Sequence, residues 1–116
     1  MSISIYHNPR CSKSRQTLQL LQEKGIEPEI REYLKDVPDA DEIRQLLEAL
    51  GISARELLRV KEAEYKEAGL DNADLDDDAV IAAMVQYPKL IERPIVINGD
   101  RARIGRPPEA VLEILA

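Results

Sequence analysis

Ile3-Ser4-Ile5-Tyr6-His7-Asn8-Pro9-Arg10-Cys11-Ser12-Lys13-Ser14-Arg15 is the stretch from which the rest of the chain is read. Residues 2–6 alternate as a short strand does when one face is buried. Thr17-Leu18-Gln19-Leu20-Leu21 then carries the spacing of a helix, which runs from about Ser12 to Lys24 and is ended by Gly25. Cys11, the only cysteine, therefore stands where a strand turns into a helix. There the first N–H groups lack intrahelical partners and the positive end of the helix dipole favours anions. A thiolate is an anion, so this position is expected to lower the pKa of the thiol, and Arg10, Lys13 and Arg15 act in the same direction. A lone cysteine is more often a buried structural residue. A polar loop with three cations, however, is a poor place to bury one.

Outward from this stretch, residues 27–33 read as a second strand with Ile30 its clearest inward residue. A β-α-β start implies two parallel strands joined by a right-handed crossover. Residues 35–87 then change to a helical texture. Asp39 caps a segment in which Ile43, Leu46, Leu47 and Leu50 recur at helical spacing, and Gly51 closes it. Ser53 caps a short helix carrying Leu57, Leu58 and Arg59, and residues 62–68 form another piece ended by Gly69. Residues 71–78 hold five aspartates but lack the glycine and closing glutamate of a calcium-binding loop. A solvated loop with a helix N-cap accounts for them. The helix that follows uses Val80, Ile81, Met84 and Val85 and stops before Pro88. Ile95-Val96-Ile97 is a strand, Asn98-Gly99-Asp100 a hairpin turn and Ala102-Arg103-Ile104 its return. Pro107 and Pro108 open a last helix with Val111, Leu112, Ile114 and Leu115.

At 116 residues the chain is expected to form one α/β domain with a modest core, the helical block at about 36–88 being an insertion on one sheet. The formal net charge of -6 and the absence of Phe and Trp argue against nucleic-acid or membrane-surface binding. No apolar run is long enough to span a bilayer, and the N-terminus carries no signal-peptide pattern. A single cysteine forms no internal disulfide, so the expected setting is the cytoplasm, with the thiol reduced at rest.

A β-α-β half and a β-β-α half, with cysteine at the first strand-to-helix junction, resembles the thioredoxin/glutaredoxin fold and its mixed four-stranded sheet. Cys11-Ser12-Lys13-Ser14 then occupies the C-x-x-C position of that fold, with Ser14 in place of the second cysteine. The resemblance implies a cis peptide before Pro94, facing the reactive cysteine.

Three further arginines lie at element edges: Arg59 after Leu57-Leu58, Arg93 before Pro94, and Arg106 before Pro107. A planar guanidinium grips a tetrahedral oxyanion through two parallel hydrogen bonds, so an acidic protein that gathers arginines around one thiol is expected to bind a small anion there. With these residues the resemblance sharpens. His7-Asn8-Pro9-x-Cys11-x-x-Ser14-Arg15, Leu57-Leu58-Arg59, Arg93-Pro94-Ile95-Val96 and Gly105-Arg106-Pro107 resemble the glutaredoxin-dependent arsenate reductase family over nearly the whole chain. The resemblance implies that Cys11 is the nucleophile and that Arg59, Arg93 and Arg106 hold arsenate and its thiol-bound products. It implies glutathione as reducing co-substrate and glutaredoxin as partner, with no bound cofactor or metal. One cysteine cannot resolve a thiol–arsenic adduct within the chain, which independently requires an external thiol.

Supporting roles have two forms each. A protonated His7 would help keep the thiolate, or His7 is a loop histidine bonded to the backbone. Ser14 donates to the thiolate or caps the helix. Arg15 binds the anion or glutathione, or is an exposed helix charge. Two other functions fit the same outline: an Spx-like regulator contacting RNA polymerase, and a monothiol enzyme acting on glutathionylated proteins. The set Arg59, Arg93 and Arg106 favours the reductase.

Overall fold

The computed structural model describes residues 3–115 and divides the chain into two compact units. One holds the chain up to Asp36 and from Arg93 onward, and the other is Val37–Glu92.

The first unit is built on four strands: β1 (Ile3–Tyr6), β2 (Glu29–Arg31), β3 (Ile95–Asn98) and β4 (Arg101–Ile104). Their order is β2-β1-β3-β4. β1 runs parallel to β2 and antiparallel to β3, and β3 pairs antiparallel with β4. Helix α1 (Ser12–Glu23) makes the crossover between the parallel pair. This mixed sheet, a β-α-β half joined to a β-β half and a closing helical turn, is the thioredoxin-like arrangement. The β3–β4 hairpin has a two-residue loop, with Asn98 opposite Arg101. Gly99 (φ 65°) supplies the positive φ at its first position, where a residue with Cβ would be strained.

Ile5 and Val96 stand opposite each other and are fully buried with Leu21 of α1 and with Val111 and Ile114 near the C-terminus. Each such side chain contributes about 1.5–3 kcal/mol by leaving water. The last helical segment, Pro108–Ile114, is a 3-10 helix, not the α-helix expected from its leucines. Its buried residues are Pro108, Val111 and Ile114, a three-residue spacing that places one side chain per turn of a 3-10 helix on the core. Asn98 fastens it, its Nδ2–H donating to the Ile114 carbonyl at 2.6 Å.

Ile30 was expected to point inward, but it is 49% exposed. It pairs with the buried Ile5, yet β2 is the sheet edge and only three residues long. The buried anchor lies beyond the strand: Tyr33 is stacked on Tyr6 with ring centroids 6.1 Å apart, and Arg31 sits 5.3 Å over the Tyr6 ring.

The second unit contains α2 (Ala40–Leu50), α3 (Ala63–Glu67) and α4 (Asp77–Gln86). Asp39 and Glu42 form a reciprocal capping box at the start of α2, and Gly51 (φ 70°) ends it in the left-handed conformation. Asp76 of the aspartate-rich loop caps α4 by accepting from the Ala79 N–H at 2.9 Å. Among the described residues, no three His, Cys, Asp or Glu side chains are gathered as a metal ion would require, and no helix is long and apolar enough to cross a membrane.

Candidate active site

β1 delivers the chain into a tight loop before α1. The Cys11 N–H donates to the Asn8 carbonyl at 3.0 Å, and the Arg10 N–H donates to Asn8 Oδ1 at 3.0 Å. Cys11 is the N-cap of α1, with extended backbone and no side-chain cap, and its carbonyl accepts from the Arg15 N–H at 3.0 Å. The sulfur thus lies at the positive end of a twelve-residue helix. The residue is only 8% exposed, so the neighbouring cations of the loop and of the first turn of α1 do not keep it out. They splay outward: Arg10, Lys13 and Arg15 are all exposed while the thiol turns in.

The group brought to the sulfur is Arg106. Its Nη2 lies 3.8 Å from Cys11 Sγ, and its Nε–H donates to the Arg93 carbonyl at 2.8 Å. Arg93 is half-buried and precedes Pro94, which is buried at the entry to β3. The Arg93–Pro94 peptide is cis, as the resemblance implied, and so is Arg106–Pro107. Cys11, Arg93, Pro94 and Arg106 therefore belong to one structural unit, with Arg106 linking the thiol to the Arg93 backbone.

His7 and Ser14 are brought together in a way the sequence did not show. His7 Nδ1 and Ser14 Oγ are 2.6 Å apart, and the Asn8 N–H donates to the same hydroxyl at 3.0 Å. Ser14 thus ties the third residue of α1 to the loop before it, and its hydroxyl is not the helix N-cap. The His7 ring is buried and pairs with a side chain, where the bland expectation was a bond to the backbone. Burial is the largest influence on its pKa and lowers it from 6.5; the Glu32 carboxylate opposes the shift and Arg15 adds to it. A depressed value favours the neutral ring at neutral pH, which weighs against the first of the two readings of His7. Arg15 Nη1–H donates to the Pro9 carbonyl at 2.9 Å and so braces the loop from the helix side.

The shift of His7 has a consequence for stability. The unfolded chain binds this proton more tightly than the folded one, so its contribution is present above pH 6.5 and is lost as pH falls through the folded-state value. Urea midpoints measured across this range are expected to fall more steeply with acidification in the wild type than in His7→Gln. Parallel slopes for the two proteins would remove His7 as the cause.

Arg59 lies in the Val37–Glu92 unit. Leu58 bridges Ile91 in antiparallel fashion, and the Arg59 N–H donates to the Leu90 carbonyl at 2.8 Å. Its guanidinium is paired with two carboxylates, Glu62 at 2.6 Å and Glu92 at 3.7 Å. Neither acid was singled out from the sequence, although the three-residue spacing of Arg59 and Glu62 was visible there. Asn8, Thr17 and Gly105 were likewise given no role.

The fold and the site together define a thioredoxin-like protein with one thiol at the N-terminus of its first helix and an arginine against it. A model of the ArsC family matches residues 6–114, and the chain belongs to that family. It is 59% identical over 114 residues to "Uncharacterized protein YfgD" of Escherichia coli K12, covering 97% of this chain and 96% of that one. It is 53% identical over 116 residues to an arsenate reductase of Haemophilus influenzae, covering 99% of this chain and all of the relative. Among solved structures, the arsenate reductase from Vibrio cholerae superposes with a TM-score of 0.97 at 53% identity, covering 99% of this chain and 98% of that one.

Proposed function

We propose that the protein is an arsenate reductase in which Cys11 is the nucleophile and glutathione, with glutaredoxin, is the source of electrons. The observation that carries this reading is the 3.8 Å approach of Arg106 Nη2 to Cys11 Sγ at the N-terminus of α1. The family and the names of the Haemophilus and Vibrio relatives support the choice of oxyanion.

The helix terminus and the Arg106 guanidinium both favour negative charge on an oxyanion bound beside the sulfur. In the first step the Cys11 thiolate forms a bond to arsenic and hydroxide leaves, which gives a Cys11–S–As(V) adduct. Arg106 and Arg93 offset the charge on the arsenate oxygens. Two electrons must then reach arsenic, and the chain has no second cysteine to supply them. Two external thiols provide them and become one disulfide. Arsenic is released as arsenite, the Cys11 thiol is regenerated, and one water is formed overall. Glutathione enters as co-substrate, and no bound cofactor is needed. A thiol that must start each cycle reduced suits the reducing cytoplasm.

The donor is tested by omission. In an assay coupling glutathione, glutaredoxin and glutathione reductase to NADPH, arsenate-dependent consumption is expected to fall to background when glutaredoxin alone is left out. An unchanged rate without it would overturn the glutaredoxin assignment.

A further inference from the structure

Gly105 lies between β4 and Arg106, and its role is not conformational. Four glycines of the chain have positive φ, and Gly105 is not among them. It is the room around it that excludes a side chain. A Cβ at this position would stand 2.6 Å from Thr17 Oγ1, 2.8 Å from Pro94 Cγ and 3.2 Å from Thr17 Cγ2. At the other four glycines a Cβ would meet nothing within 4 Å.

Neither neighbour is free to yield. Thr17 is fully buried in the second turn of α1, its χ1 is restricted by branching, and its hydroxyl donates to the Lys13 carbonyl at 2.8 Å. Pro94 is buried, has a closed ring and accepts the Gly105 N–H at its carbonyl at 2.8 Å. The β4 end is thus drawn against the helix that carries Cys11 and against the loop that carries Arg93. The next residue is Arg106, whose N–H donates to the Ile104 carbonyl at 2.9 Å, and whose side chain spans the Arg93 carbonyl and Cys11 Sγ.

We infer that Gly105 is a positioning residue: its missing side chain lets the β4–Arg106 backbone close on Thr17 and Pro94, and this closure holds the Arg106 guanidinium at the Cys11 sulfur. A side chain there pushes the backbone away until ordinary contact, 3.4 Å or more, is restored. Arg106 moves with it, and a displacement of about 1 Å at a reacting centre is enough to cost about 10²-fold in rate. The inference rests on Cys11 and Arg106 forming one site, but its test needs no arsenate turnover.

The readout is the rate of Cys11 alkylation by iodoacetate divided by that by iodoacetamide. An adjacent guanidinium attracts the anionic reagent and leaves the neutral one indifferent, whereas simple loosening of the fold exposes the thiol to both alike. Gly105→Ala is expected to lower the ratio several-fold, toward that of Arg106→Ala. Adding Thr17→Ala removes two of the three close contacts and is expected to restore the ratio in part. A folded Gly105→Ala with the wild-type ratio, or a double variant no better than Gly105→Ala, would overturn the inference. If Gly105→Ala does not fold alone, the double variant decides. Its remaining 2.8 Å approach to Pro94 is expected to keep the ratio below wild type, and a wild-type ratio would overturn the inference. Lack of arsenate reduction would leave these ratios standing and count only against the reductase reading.

Discussion

Cys11→Ser is expected to reduce arsenate turnover by at least about 10⁴-fold while the protein stays folded. Serine keeps the side-chain shape but not the chemistry. Its hydroxyl does not ionise at neutral pH, so the electrostatic help from the α1 terminus and Arg106 has no anion to act on. With no second cysteine in the chain, no other group takes over the attack. The fold tolerates the change because Cys11 caps α1 through its backbone and makes no side-chain cap bond. The residue is nearly buried, but Arg106 offers the new hydroxyl a donor in place of the sulfur. A stability change within about 1 kcal/mol is expected. Turnover and thermal midpoint measured on the same preparation separate the two effects. Near-normal turnover in Cys11→Ser would refute the proposed chemistry.

Arg106→Ala is expected to lower kcat/KM for arsenate by about 10²–10³-fold, the loss typical of one donor to a developing oxyanion. Arg106 is exposed and contributes little to the core. One structural bond, from Nε to the Arg93 carbonyl, goes with it, and losing that bond costs about 1 kcal/mol. Activity should therefore suffer far more than stability. Arg106→Lys is expected to restore little, because an ammonium on a flexible stem cannot bond the Arg93 carbonyl and a tetrahedral anion in one planar fork. Arg93→Ala is expected to weaken anion use in the same direction. Full activity in Arg106→Lys would show that charge alone suffices and that the fork geometry is irrelevant.

The parts of the fold visible in the sequence were those set by local chemistry. The strand before Cys11, the glycine that ends α1, the Asp39 cap, the presence of an N-cap somewhere in the aspartate-rich loop and the Gly99 turn all follow from backbone needs within a few residues. Ile30 was misread because its exposure depends on which strands the core covers: Ile5 and Val96 lie under α1 and the C-terminal turn, whereas β2 forms the edge. The final 3-10 helix escaped detection because Val111, Leu112, Ile114 and Leu115 satisfy an α-helical pattern equally well. The core selects the three-residue spacing through Pro108, Val111 and Ile114.

The same division runs through the site. Cys11 and Arg106 were visible as residue types in a telling context, but the 3.8 Å approach between them joins positions 95 residues apart. Three cations in the loop suggested an exposed thiol, yet the side chains diverge and the sulfur is buried. His7 and Ser14 were each considered against Cys11, whereas in three dimensions their bond is to one another. Gly105 stood in a quoted motif without a role, because the space a missing side chain leaves is not visible until Thr17 and Pro94 surround it.

The central claim is tested most directly by following arsenic itself. Arsenate is incubated with the wild-type protein, glutathione, glutaredoxin and glutathione reductase with NADPH, and arsenite is quantified by speciation beside NADPH oxidation. One arsenite for each NADPH consumed, with neither change in the Cys11→Ser sample, is the expected result. A folded wild-type protein with a reactive thiol that forms no arsenite above the protein-free control would contradict the account.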